Sequence, residues 1–75
     1  MLINFPCEAR FSLPSSTNGF KPAHIYNITV TDDEYNGSGY IVTSDYDVTE
    51  YRGVDITIRL SSMQSVDRYF KNIIK

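Results

Sequence analysis

The feature that most constrains this chain is the alternation of Val54, Ile56, Ile58 and Leu60 with Asp55, Thr57 and Arg59. A period of two puts one set on each face of a β-strand, so one face is apolar and the other polar. The same period recurs upstream. Ala9, Phe11 and Leu13 alternate with Glu8, Arg10 and Ser12, and Tyr26, Ile28 and Val30 alternate with Asn27, Thr29 and Thr31. Strands are therefore expected over Glu8 to Leu13, His24 to Thr31, Gly39 to Ser44 and Val54 to Leu60, with a shorter one over Tyr46 to Tyr51. Turn residues separate them. Pro14 to Gly19 opens a loop that reaches Pro22, Asn36-Gly37 is a strong hairpin signal, and Asp45 and Arg52-Gly53 are read as further turns.

After Leu60 the period changes. Met63, Val66, Phe70 and Ile73 recur at steps of three and four, as on one face of a helix. Ser61 with Gln64 fits a capping box, and Arg68, Lys71 and Lys75 fall late, where cations favour the helix dipole. The expected fold is a β-rich α+β domain over residues 1–75. It is a small antiparallel sheet or partly open barrel of about five strands, with a C-terminal helix. Met63, Val66, Phe70 and Ile73 are expected to pack on Phe11, Ile28, Val30, Ile56 and Ile58.

Small domains are often stapled by disulfides or a metal. With one cysteine, Cys7, and one histidine, His24, this chain has neither an internal disulfide nor a four-ligand zinc site within its means. Six tyrosines and four phenylalanines supply the apolar area instead. No apolar stretch has the length of a membrane span, and Met1 to Cys7 lacks the basic and apolar regions of a signal peptide. The expected location is the cytoplasm.

The net charge of −2 hides an asymmetry. Asp32, Asp33, Glu34, Asp45, Asp47, Glu50 and Asp55 face only Arg52 between positions 32 and 55, leaving −6, while residues 56–75 carry +3. That balance argues against phosphate neutralisation and so against direct nucleic-acid binding. It suits a basic protein partner.

Several short patterns carry groups capable of chemistry. Asp32, Glu34, Asn36 and Gly37 imitate the start of a calcium loop, but the twelfth position is Thr43 and the flanks are strands. Asp45, Asp47 and Glu50 are close carboxylates without a supporting acid–base partner in sequence. His24 has no triad spacing. Asn27-Ile28-Thr29 and Asn36-Gly37-Ser38 match the glycosylation acceptor pattern, which is short and common. No catalytic residue, cofactor site or metal site is assigned.

The tyrosines stand out. Tyrosine offers rigid contact area at low entropic cost and is enriched at interfaces. Tyr35 sits in an acidic turn and Tyr46 between two aspartates, which makes them the best candidates for exposure. The expected contact surface comprises Asp32, Asp33, Glu34, Tyr35, Asp45, Tyr46, Asp47, Glu50 and Tyr51.

Gly19-Phe20-Lys21 leading into Ile25-Tyr26-Asn27-Ile28, then Gly39-Tyr40-Ile41-Val42, Ser44-Asp45 and the segment from Ser61 to Phe70 resemble small stand-alone SH3-like barrels of the bacteriophage type. The resemblance covers about two thirds of the chain. The chain has no tryptophan and no Ala-Leu-Tyr-Asp-Tyr stretch, so no proline-peptide ligand residues are carried over. The resemblance implies a small barrel that works by its surface, and in a phage setting a protein that inhibits or redirects a host protein in the host cytoplasm.

Together these readings give a non-enzymatic protein-binding module, an inhibitor or adaptor. Its partner would be a protein with a basic surface, such as a nucleic-acid-binding enzyme blocked by charge mimicry, and not nucleic acid itself or a membrane. Two other readings stay open: an assembly subunit that forms a homo-oligomer through an exposed strand edge or an apolar helix face, and a single-stranded nucleic-acid-binding barrel.

Overall fold

A computed structural model describes residues 3–74, with side chains over 6–71. It contains five strands and one helix: β1 Ile3–Phe11, β2 Ile25–Asp32, β3 Tyr40–Asp47, β4 Arg52–Leu60, α1 Met63–Tyr69 and β5 Phe70–Ile74. The strands form one sheet in the order β4-β3-β2-β1-β5, antiparallel at every step and not closed into a barrel. The antiparallel β-rich fold expected from the periodicity is the fold observed.

The inner face follows the period of two. Cys7, Ala9 and Phe11 of β1, Tyr26, Ile28 and Val30 of β2, Val42 of β3 and Ile58 and Leu60 of β4 are buried in one cluster with Phe20, Val66 and Phe70. Phe20 lies at its centre. Its ring stacks on Phe11 at 5.4 Å and meets Tyr26 at 4.9 Å and Phe70 at 5.1 Å edge-on. These separations suit the aromatic quadrupole.

β1 runs from Ile3 to Phe11 where Glu8 to Leu13 was expected, and three further boundaries differ from expectation. Asp45 does not turn the chain. It is the extra residue of a β-bulge, since Asn27 pairs with Tyr46 and Ile28 with Ser44. A bulge absorbs a turn-forming residue while the strand continues, and it shifts which side chains face inward. The chain instead reverses at residues 48–51, where a strand was expected, and Arg52-Gly53 begins β4 rather than forming a turn.

The helix is the third difference. Its N-cap is Ser62, whose hydroxyl accepts from the Ser65 N–H at 3.2 Å, and not Ser61. It stops at Tyr69, and Phe70 is already extended with φ −128°. Phe70 and Lys71 pair with Phe11 and Arg10. The backbone groups along β1 need a partner, and this segment satisfies them by leaving the helix. Val66 and Phe70 are buried as expected, from a helix and a strand respectively, while Met63 and Ile56 are half-buried. The side chain of Ile73 lies outside the described residues.

Four antiparallel steps separate β4 from β5, so both edges run in the same direction. In a flat sheet they would stand about 19 Å apart. A seven-residue helix covers only about 10 Å. The whole connection, Ser61 to Tyr69, packs on the inner face of the sheet, with Val66 buried in the core cluster.

Candidate functional site

The expected contact residues fall at opposite ends of the β2–β3 pair. Asp32 pairs with Tyr40 at one end and Tyr26 with Asp47 at the other. Six residues of strand separate these rows, about 20 Å. That exceeds the Debye length of about 8 Å at physiological ionic strength, so the two acidic groups act independently there.

At the Asp47 end the carboxylates of Asp47 and Glu50, though not that of Asp45, are committed to the fold. Because the bulge at Asp45 shifts the facing, Asp47 turns inward and is wholly buried. Its Oδ1 accepts the Glu50 N–H at 3.2 Å and fastens the turn over residues 48–51. Its Oδ2 lies 2.9 Å from His24 Nδ1. Val48 N–H donates to the Ile25 carbonyl at 2.7 Å, and Ile25 N–H donates to Thr49 Oγ1 at 2.7 Å. Glu50 meets Arg52 Nε at 2.5 Å and Lys21 Nζ at 3.3 Å. The Arg52 hydrogen bond, with Lys21 adding to it, holds the Glu50 carboxyl below its ordinary value, and Glu50 in turn raises Arg52. Burial raises the phenol of Tyr26, whose oxygen accepts the Lys21 N–H at 2.7 Å.

Donor atoms of His24, Asp47 and Glu50 lie within 4.8 Å of one another, a spacing compatible with a cation. Their oxygens already accept from His24, the Glu50 amide, Arg52 and Lys21. Two protein cations thus occupy the electrostatic role an ion would fill. Asp45 is exposed, Tyr46 half-buried, and Tyr51 79 % exposed at the tip of the turn with φ 52°.

The hairpin end is different. Asp33 is buried and organises the loop: its carboxylate accepts Asn36 Nδ2 at 2.7 Å and the Asn36 N–H at 3.3 Å. Arg59 Nε stands 3.9 Å away. The Asn36 side chain, followed by its amide and then Arg59, holds the Asp33 carboxyl below the usual range against the opposing effect of burial. Gly39 closes the loop at φ 93°, where a Cβ would come within 2.9 Å of the Leu60 carbonyl, so only glycine fits. Asp32 and Glu34 are exposed, and among the described residues neither has an ion-pair partner. Tyr35 is 93 % exposed. An open cleft of about 390 Å³ is lined by residues 32–34 and 37–40.

The lowered carboxyl groups set an acid limit. For Asp33 and Glu50 the unfolded chain binds more protons than the folded one, so stability rises with pH. Their contribution is complete above the ordinary carboxylate range, above about pH 5, and is lost as pH falls through the lowered folded values. The urea midpoint is expected to hold from neutrality to about pH 5 and to drop below about pH 4, with a shallower drop in Asp33→Asn. An equal drop in that variant would remove Asp33 from the account.

Sequence reasoning placed the acidic groups and Tyr35 but missed the cleft, Asn36 and the neutralising roles of Lys21 and Arg52. The Asp33-x-x-Asn36 spacing is the local signal for an Asp-capped turn. Arg52 lies only two residues from Glu50, so that pair is local, whereas Lys21 carries no such signal because it meets Glu50 only through the tertiary fold. In comparisons with known proteins, no family model, no curated protein and no solved structure matches this chain.

Proposed function

We propose that this protein is a non-enzymatic protein-binding module, an inhibitor or adaptor, whose contact surface is the β2–β3 hairpin end. The observation that carries the reading is the pairing of two exposed carboxylates, Asp32 and Glu34, that have no ion-pair partner among the described residues, with the nearly fully exposed ring of Tyr35 beside an open cleft. Leaving a tyrosine ring in water gains nothing for the monomer, whereas at an interface it supplies rigid contact area. Asp33 and Gly39 hold the loop in shape, which lowers the ordering cost of binding.

The partner that fits is a protein presenting lysine or arginine. A cationic side chain entering the cleft meets Asp32 and Glu34, and an arginine can also lie over Tyr35. A nucleic-acid-binding enzyme, imitated in its usual ligand's charge, is a special case. At the far end Asp45 and Tyr51 remain accessible, but Glu50 is neutralised there and Asp47 is buried, so that end contributes less charge. Among the described residues no helix is long and apolar enough to cross a membrane. A cytosolic setting, that of a host cell if the chain is phage-encoded, belongs to the same proposal.

The test is capture of partners from nuclease-treated lysate of the native host, with low- and then high-salt washes. One stoichiometric protein is expected, released at high salt and lost from the Asp32→Lys/Glu34→Lys and Tyr35→Ala variants. Capture that is indifferent to all three substitutions would sink the reading.

A further inference from the structure

We infer that the open edge strand β4 is a self-recognition surface, and that two copies of this chain join their sheets antiparallel through it in a register centred on Thr57.

β4 ends the sheet and pairs only with β3. Among the described residues, no backbone hydrogen bond from outside that ladder reaches positions 52–60. Among the described residues, the side of this nine-residue strand that faces away from β3 has no backbone partner. Such edges template pairing with another strand, and soluble proteins usually blunt them with proline, a bulge or like charges. From Val54 to Leu60 there is no proline, and the register with β3 runs without a shift from Ile56 to Leu60, the irregularity of this ladder falling at Val54 and Asp55 beyond that run.

The charges on this edge are of opposite sign and placed symmetrically. Asp55 and Arg59 lie on the exposed face, two residues either side of the exposed Thr57. An isologous antiparallel pair puts residue i opposite residue j of the second copy and j opposite i. Centred on Thr57, Asp55 of each copy stands opposite Arg59 of the other, and the pair is made twice. Centring on Asp55 or Arg59 sets like charges face to face. Centring on Ile56 or Ile58 leaves the charges opposite Thr57, Gly53 or Ser61. Only the Thr57 register makes both charge pairs.

The inner face agrees with the same register. Ile56 comes opposite Ile58 of the second copy, and Val54 opposite Leu60. Val54 and Ile56 are half-buried in the monomer, while Ile58 and Leu60 are buried. Directly opposed β-branched and apolar side chains stabilise antiparallel pairs. Arg59 is 63 % exposed at its side chain, and its approach to Asp33, at 3.9 Å, does not commit it.

Sedimentation equilibrium of the whole chain from micromolar to millimolar concentration tests this. The expected mass rises from the 8.6 kDa of one chain to twice that. Asp55→Arg and Arg59→Asp each turn two attractions into two repulsions, and each is expected to weaken the dimer about tenfold or more. The double swap Asp55→Arg/Arg59→Asp is expected to restore it. A monomer throughout, a dimer indifferent to the single reversals, or a folded double swap that stays monomeric would each overturn the inference. If a single reversal fails to fold, amide exchange of wild-type residues 54–60 decides. Protection that grows with concentration supports the pairing, and protection that does not change overturns it.

Discussion

Phe20→Ala is expected to leave the protein largely unfolded at physiological temperature. The ring is fully buried, and truncating a buried phenylalanine costs about 3–5 kcal/mol in lost transfer energy and cavity formation. A chain of this length is stable by roughly 4–11 kcal/mol. The loss is therefore comparable with the whole margin, and it is not confined to the loop that carries Phe20. The ring touches Phe11 of β1, Tyr26 of β2 and Phe70 of β5, so its removal loosens three strands at once. The loop delivers it through a two-residue turn. Thr17 and Phe20 exchange backbone hydrogen bonds at 3.0 and 2.9 Å, and Asn18 and Gly19 both have positive φ, the conformation an Asn-Gly pair favours. Urea denaturation at low temperature should show a midpoint near zero denaturant for Phe20→Ala and a much smaller loss for Phe20→Leu. A loss under about 1 kcal/mol for alanine would mean that the loop is not part of the core.

Asp47→Ala is expected to be the second most damaging substitution, at about 3 kcal/mol. It removes a buried acceptor used twice, leaving the Glu50 N–H and the His24 ring without their partner. Hydrogen bonds to a charged group contribute about 1.5–3 kcal/mol each, and stranding a buried donor adds its desolvation cost. Asp47→Asn should cost markedly less. The amide oxygen can still accept from Glu50, and its NH₂ can donate to His24 Nδ1 if the ring moves its proton to Nε2. Amide exchange should show Glu50 and Val48 opening faster in the alanine variant. Equal losses in alanine and asparagine would show that the negative charge, not the hydrogen-bond geometry, is what the turn requires.

Most of the sheet was legible because an alternating strand reports its own burial. Tyr26, Ile28 and Val30, or Ile58 and Leu60, need no neighbour to say which face is apolar. The candidate site was legible in part. Asp32, Glu34 and Tyr35 lie in a hairpin turn and stay exposed, as polar turn residues do. Tyr46, a candidate for exposure beside Tyr35, is half-buried, and Tyr51 takes the exposed position instead. Asp33 and Asp47, equally acidic in sequence, are buried because each is spent as an acceptor for backbone and side-chain donors of its own turn.

What the sequence by itself determined was the class of fold and the inner face of β1, β2 and β4. These depend on local periodicity and on the inventory of side chains. Three things were decided by the tertiary structure alone. The bulge at Asp45 depends on two neighbouring strands, and it alone turns Asp47 into the core. The conversion of Phe70–Ile74 from expected helix to strand depends on the open edge of β1, whose backbone groups bond more completely to a strand than to water. The Lys21 contact with Glu50, unlike that of Arg52 two residues away, depends on a loop folding back across the sheet. In each case the deciding partner is distant in sequence, and its hydrogen bonds outweigh a local preference of a few tenths of a kcal/mol per residue.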